Sequence, residues 1–347
     1  MRFGSSTRTG PSSRTCTLGV LSDIHYASAA EQARGDNYEI AGIANPALRR
    51  LVWIYRHFFW LRHPFKQNYL LDRFLERAGE FDLVVANGDY SCNSGFVGVS
   101  DNAACQSAGE CLGKLRAAFE GKLRATFGDH ELGKVSFFGG QGGMRLASWN
   151  RARQELGLEP FWQIAVGNYV LVGVVSSLIA LPVFQADTLP QERPEWERLR
   201  NEHLRVIREA FAAIQPDQRI LLFCHDPTAL PFLAQEPQVA QRLQQIDRTV
   251  IGHLHSNLIL WKSRWLAGMP QIKFLGHTAK RLSAALRRAK EWRCFRIQLC
   301  PSLAGIELLK DGGYLTAKID LEGRQPAQFD FHPLPRTQVK PSFLNPV

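Results

Sequence analysis

No two of the seven cysteines stand in a C-x-x-C pair, which excludes a zinc ribbon and a thioredoxin-like dithiol. Their number is odd and positions 16, 92, 105, 111, 224, 294 and 300 show no paired spacing, so a secreted disulfide framework is not expected. Free thiols in a reducing, cytoplasmic compartment are. Residues 1–15 are rich in Arg, Ser, Thr and Gly but lack the apolar run of an export signal, and read as a flexible tail. Internal repeats and low-complexity tracts are missing too. Acid is the scarcer charge: 32 Asp and Glu against 42 Lys and Arg leave a net charge of +10. That surplus suits anionic partners such as nucleic acid, phosphorylated substrates or an acidic membrane surface, without choosing among them.

The longest uncharged run, the 21 residues Ile164–Phe184, could span a bilayer by length alone. It is interrupted by Gly167, Asn168, Gly173, Ser176, Ser177 and Pro182 and is rich in valine, which predicts one or two buried strands and a loop. No transmembrane helix is expected.

What is present is an alternation. Apolar runs at Cys16–Leu21, Leu83–Ala86, Leu123–Phe127, Tyr169–Ser176, Ile220–Cys224 and Thr249–Ile251 are separated by helical patterns such as Phe65–Gly79, Met144–Leu156 and Trp196–Ile214. Strands alternating with helices predict an α/β layered domain. Beyond residue 250 the pattern predicts short strands at Asn257–Trp261, Gln271–Leu275, Phe295–Leu299, Gly305–Leu309 and Tyr314–Leu321. Asp311-Gly312-Gly313 is expected to be a hairpin turn, and residues 322–347 an extended tail.

The chemistry sits at the ends of the strand-like runs, where α/β sheets place ligands. The first ends in Asp23-Ile24-His25, the next in Gly88-Asp89, a third in Gly128-Asp129-His130-Glu131. Later come Cys224-His225-Asp226 and Gly252-His253-Leu254-His255. In D-x-H and H-x-H, residues i and i+2 of extended backbone point to one side, so both can grip a single ion. Imidazole nitrogen and carboxylate oxygen suit manganese, iron and zinc. Each block alone is commonplace; five in order use five of the ten histidines and predict one joint site.

This series, D-x-H, G-D, G-[N]-H-[DE], H and G-H-x-H, resembles the calcineurin-like metallophosphoesterase superfamily over about residues 16–321. The resemblance implies a four-layer α/β/β/α sandwich of two mixed sheets with a dinuclear centre at the sheet ends. By motif position, Asp23, His25 and His255 would hold the first divalent ion and His225, His253 and Asp129 the second, with Asp89 bridging. Manganese is the first expectation and iron or zinc the next. His130 would contact the phosphate or protonate the leaving oxygen, with Glu131 or Asp23 orienting it. Two cations about 3.5–4 Å apart can hold a bridging hydroxide, lower its pKa towards ~7 and neutralise phosphoryl charge during in-line attack. Asp129 departs from the family pattern, which has Asn there; the extra charge predicts tighter cation binding and a weaker pull on anionic substrate. The rival expectation is loss of the second metal and a degenerate binding module.

An insertion at about 27–66 separates the first two blocks. Its Pro46–His63 stretch predicts a helix with Arg49, Trp53, Arg56, Trp60 and His63 on one face and Leu51, Ile54, Phe58 and Leu61 on the other. Two readings stand: a surface helix packing its apolar face on the domain and wetting its basic one, or an interfacial element, at the headgroup level of a membrane or lining a cleft for an amphiphilic substrate. A basic helical segment at about 279–293, with Arg281, Arg287 and Arg288, is either a solvated face or a phosphate-binding cap. Asn93 is a further candidate substrate contact. The run Gly139–Gly143 lacks the Lys-Ser/Thr of a P-loop and reads as a flexible loop. Basic charge with an aromatic insertion is similar to the bacterial UDP-2,3-diacylglucosamine pyrophosphatases of lipid A synthesis. That likeness implies a pyrophosphate substrate and peripheral contact with the cytoplasmic membrane through residues 46–63. A nuclease or nucleotide phosphodiesterase of the same fold is the alternative, with nucleic acid the less favoured partner; oligomeric state is not predicted.

Overall fold

Leu18 and Val20 of the first strand face a second sheet, not a helix, and that sets the architecture. The computed structural model describes residues 15–136, 140–272 and 276–336. One five-stranded sheet contains β1 (Thr15–Leu21), β2 (Leu83–Ala86) and β3 (Leu123–Ala125) in parallel. The other contains β4 (Phe161–Val166), β5 (Tyr169–Val174), β6 (Arg219–Cys224), β7 (Ile246–Ile251) and β8 (Ile297–Leu299). The chain then returns to complete the first with β9 (Gly313–Asp320) and β10 (Gln328–Pro333), giving the order β10-β9-β1-β2-β3 against β4-β5-β6-β7-β8. Both sheets are mixed: β9 and β10 are antiparallel in one, β4 in the other.

Period-two alternation fills both faces of each sheet. Leu221, Phe223 and Val250 join Leu18, Val20 and Val85 between the sheets, while Leu222, Cys224 and Ile251 face outward. Helices cover the outer faces. The first sheet is covered by α2 (Asn68–Leu75), α3 (Asn102–Ala118) and α4 (Leu146–Gln154), through side chains such as Phe74, Leu112 and Trp149. The second is covered by α5 (Arg193–Ala213), through Leu204, Ile207 and Phe211 at helical spacing. This is the four-layer α/β/β/α sandwich.

The apolar run at 164–184 is core from Tyr169 to Leu181, where β5 and the first of two short helices are buried; before the Gly167-Asn168 turn it is the end of β4, an edge strand that is half-buried or exposed there. Among the described residues no helix is long and apolar enough to cross a membrane.

The region past 250 departs from expectation. Asn257–Trp265 is a helix (α6), not a strand, because Ser256 caps it, its hydroxyl accepting from the Leu258 amide at 3.2 Å. Residues 305–309 form turns, and the Asp311 turn joins no hairpin: its carboxylate accepts from the Ile306 amide (3.0 Å) and the Ser256 hydroxyl (2.6 Å). The hairpin lies later, between β9 and β10, inside the segment expected as a tail. Asp320 closes it by accepting from the Glu322, Arg324 and Gln325 amides. Residues 1–14, 273–275 and 337–347 lie outside the described residues, as does Gly139.

The insertion helix α1 (Pro46–Tyr55) runs into a π-helical turn, Arg56–Trp60, and stops before Leu61. Asn45 caps it and Pro46 occupies its first position. Its buried face is not the expected one. Val52 packs with Ile40 and Ile43, and Arg56 is buried against Glu39, whereas Leu51, Ile54 and Phe58 are 63%, 42% and 57% exposed. The basic segment forms α7 (Gly276–Arg287) and a 3-10 turn (Ala289–Phe295); Leu286 and Ala289 are buried, Leu282 exposed.

Candidate metal centre

Parallel strands end together, so the blocks that follow β1, β2, β3, β6 and β7 meet at one edge of the sandwich. Asp23, His25, Asp89, His253 and His255 all have positive φ, between 50° and 59°. Left-handed backbone is uncommon outside glycine, though Asp and His enter it more readily than most, and it persists where surrounding structure over-determines it. It turns each side chain off its strand towards a common centre. The glycines beside them allow this closeness: a Cβ on Gly88 would lie 2.5 Å from the Gly128 nitrogen, and one on Gly252 2.0 Å from the Ser22 hydroxyl.

Two sets of donors result. Asp89, Asp129, His225 and His253 place ligand atoms within 4.8 Å of one another, and so do Asp23, His25 and His255; His25, Asp89 and His130 form a third, overlapping group. His225 Nε2 lies 3.3 Å from both Asp89 Oδ2 and Asp129 Oδ1. His255 Nε2 lies 3.3 Å from Asp23 Oδ1 and 3.4 Å from His25 Nε2. His253 Nδ1 meets Asp129 Oδ1 at 3.0 Å.

Supporting contacts fix these groups. His225 Nδ1–H donates to the Asn87 carbonyl, and His25 and His130 Nδ1–H both donate to the Ser91 carbonyl, at 3.3 and 2.8 Å. Each imidazole thus offers Nε2 inward. Asp23 accepts from the Ser22 hydroxyl and the His253 amide. Glu131 accepts from the amides of Asp89, Tyr90 and Gly128 at 2.7–3.0 Å, so it shapes the second and third blocks. It does not orient His130, nor does Asp23: the Ser91 carbonyl does, because it is the acceptor within reach of Nδ1.

Electrostatics divide the histidines. Burial, then the neighbouring His130, pushes His25 down to about 4, and burial with His25 lowers His255 well below the usual value. Burial also opposes charge on His225, but the Asp89 and Asp23 carboxylates prevail and raise it well above. Burial would raise Asp129; Lys134 and His253 overcome it and hold the carboxyl well below its ordinary range.

The fit to ions is direct. Asp89 Oδ2 and His225 Nε2 are buried and, among the described residues, have no hydrogen-bond partner, which is costly unless something else meets them. Nitrogen and carboxylate oxygen donors gathered in two groups suit two first-row divalent cations.

A family model for the calcineurin-like phosphoesterases matches residues 16–257. The chain belongs to the calcineurin-like phosphoesterase family. The family and the donor sets together indicate two divalent metal ions and a hydrolase of phosphoesters. No curated protein matches the chain in sequence. A dimetal phosphatase from Danio rerio is similar in structure, with 13% identity, a TM-score of 0.44, and coverage of 87% of this chain and 92% of that one. A purple acid phosphatase from yellow lupin (Lupinus luteus) has 12% identity and a TM-score of 0.33, covering 70% and 38%. A phosphopantetheinyl hydrolase from Mycobacterium tuberculosis has 14% identity and a TM-score of 0.32, covering 69% and 83%.

Around the phosphoesterase centre the other expected residues divide. Asn93 lines a cavity of about 90 Å³ beside His25, His130 and His255. Arg281 reaches a smaller cavity on the Asp129 and His253 side, ion-paired to Asp187 at 2.6 Å. Arg288 does not join them: it is held by Glu291 and the Pro231 carbonyl and lies over the Phe232 ring. Arg287 is exposed and lines neither cavity. Two neighbours went unforeseen. Lys134 pairs with Asp129 at 3.0 Å, answering the charge that distinguishes Asp129 from the family Asn. Asp226, the residue after His225, lies 3.8 Å from His253 Nε2.

Proposed function

We propose that this phosphoesterase cleaves a phosphodiester or pyrophosphate bond in an amphiphilic, membrane-proximal substrate, of which UDP-2,3-diacylglucosamine is the model. Two divalent cations, manganese in the first instance, would supply charge to neutralise the phosphoryl oxygens and to acidify a water. Asp23, His25 and His255 would hold one, His225, His253 and Asp129 the other, and Asp89 both. His130, with Nδ1–H anchored, holds a proton or hydrogen bond through Nε2 at the oxygen that departs.

The observation that carries the amphiphilic substrate is the double character of the insertion helix. Its π turn lines the pocket with Arg56 and Trp60, whose ring lies 4.7 Å from that of His255. Its outer side exposes Leu51, Ile54 and Phe58. Next to it, Lys262 of α6 lies 4.9 Å over the Phe59 ring, and Trp261 and Trp265 of the same helix are 62% and 77% exposed. Exposed aromatics beside basic side chains suit the headgroup level of a peripheral membrane contact at the inner leaflet. The test is a phosphoester panel with Mn²⁺, including a nucleoside-diphosphate lipid, with and without detergent. Detergent-dependent turnover of the lipid is expected; activity confined to phosphomonoesters would overturn the reading.

A second reading, a nuclease, draws on a basic cleft of about 440 Å³ lined by Arg248, Arg264, Lys290, Arg293 and Arg296. Nucleic-acid affinity there would fall steeply with salt, as counterions compete for the backbone.

A further inference from the structure

The cavity beside His25, His130 and His255 has walls that no metal explains. Tyr38, Arg56 and Trp60 of the insertion form one side and Asn93 another. Arg56 is 7% exposed and Asn93 1%. Both carry a buried N–H without a partner among the described residues: Arg56 Nε and Asn93 Nδ2. An unmet buried donor costs free energy, and two of them on residues that line one small cavity mark a place where an acceptor is wanted.

The rest of each group is held in place. Arg56 Nη1 pairs with Glu39 Oε2 at 3.1 Å, and its guanidinium lies 5.6 Å from the centroid of the Tyr38 ring. Asn93 Oδ1 accepts from the Gly98 amide at 2.8 Å, which leaves the amide nitrogen for something else. Arg56 opens the π-helical turn, a rare local geometry found mostly at functional sites. Glu39, which also lines the cavity, answers the Arg56 charge, and Lys134 on the same cavity is ion-paired to Asp129, so what the walls offer an acceptor is unmet N–H groups and not surplus charge.

Resting on the phosphohydrolase reading, we propose that this cavity is the subsite for the second phosphoryl group of a diphosphate diester, gripped by Arg56 and Asn93 while the first lies at the metal-ligand cluster. Guanidinium and amide N–H groups are matched to phosphoryl oxygens. In the cleavage, water oxygen bonds to the first phosphorus and the bond from that phosphorus to the bridging oxygen breaks. The electron pair leaves on the second phosphoryl group, beside Arg56. The two protons of water are shared between the two phosphomonoester products, so no other reactant is needed.

The experiment compares kcat/KM for UDP-glucose, a diphosphate diester, with that for bis(p-nitrophenyl) phosphate, which has one phosphoryl group, in the Mn²⁺-loaded full chain. Arg56→Met should lower the value for UDP-glucose ten- to a hundredfold more than for the single-phosphoryl ester, and Arg56→Lys should recover part of it. Asn93→Asp keeps the acceptor for Gly98 but replaces the donor with an anionic oxygen, and should shift the ratio about tenfold in the same direction. That second variant carries the test if Arg56→Met does not fold. A substrate ratio unchanged within threefold in the folded variants overturns the subsite. Wild-type protein inert on both esters overturns the phosphohydrolase reading beneath it, a distinct result.

Discussion

Asp23, Asp89 and His225 are at most 1% exposed, whereas Leu51 and Phe58, on the helix over the same pocket, are 63% and 57% exposed. The cage and its rim are therefore held by different physics. In the cage the carbonyls of Asn87 and Ser91 fix the rings of His225, His25 and the neighbouring His130, amides and a hydroxyl hold Asp23 and Asp89, and Lys134 holds Asp129. The rim has one buried stripe, Val52 and Arg56, and is otherwise turned outward. A site that must present charges to an ion needs rigidity; an edge that meets varied chemistry needs surface.

The sharpest way to break this contrast is to remove a ligand. Asp89→Ala or His253→Ala should reduce turnover to background and cut metal content while circular dichroism stays near wild type; persistent activity would show that the ligands are misassigned. Chelation should come next. Because the ligands come from both sheets, ions bound at about a thousand times their Kd would stabilise the fold by about 4 kcal/mol. Thermal unfolding with and without EDTA measures that loss, and an unchanged Tm would refute it.

The buried histidines refine the comparison. His203, on α5 behind the second sheet, accepts from the Val175 amide at 3.1 Å and burial pushes it down to about 3. The unfolded chain protonates this side chain near pH 6.5, the folded chain only near 3, so its contribution is complete above 6.5 and is lost as pH falls. At pH 5 the loss is about 2 kcal/mol at 1.36 kcal/mol per unit. His203→Gln should flatten the dependence of urea midpoint on pH between 7 and 5; an equal slope in the variant would contradict the assignment.

Asp129 and Lys134 offer a smaller effect inside the cage. Asp129→Asn should weaken Mn²⁺ binding, Lys134→Met should strengthen it, and a double-mutant cycle should give a coupling of about 1–2 kcal/mol. Additive single changes would mean that the 3.0 Å pair has no bearing on the ions. The smallest change in stability belongs to the rim. Leu51→Ser with Phe58→Ser should alter unfolding by less than about 0.5 kcal/mol per site, yet lower detergent-stimulated turnover. Activity indifferent to both would remove the membrane-facing reading.

These contrasts also explain what could be read from residues alone. The strand-end blocks were legible because each is a local pattern, D-x-H or G-H-x-H, whose partners stand two residues apart, and period-two runs such as Ile220–Cys224 define their own strands. Arg56 meeting Glu39 is a contact across a fold that local pattern does not contain, and so is the choice of Val52 over Leu51 as the buried residue. The apolar composition of Asn257–Trp261 suits either element, so the run reads as a strand; the Ser256 cap decides for a helix that continues to Trp265. Asp311-Gly312 has turn chemistry, but its carboxylate is engaged by Ser256, 55 residues away in sequence. Of the basic segment, Arg281 reaches the pocket while Arg288 turns to Pro231 and Glu291, a division that charge alone does not encode.

The Ser91 carbonyl accepts from two rings, that of His25, proposed to hold an ion, and that of His130, proposed to face the substrate. One peptide plane is thus a shared fulcrum. Tilting it moves both imidazoles in step, so under the proposed roles the loop after Asp89 cannot be altered to retune how an ion is gripped without also re-aiming the ring of His130.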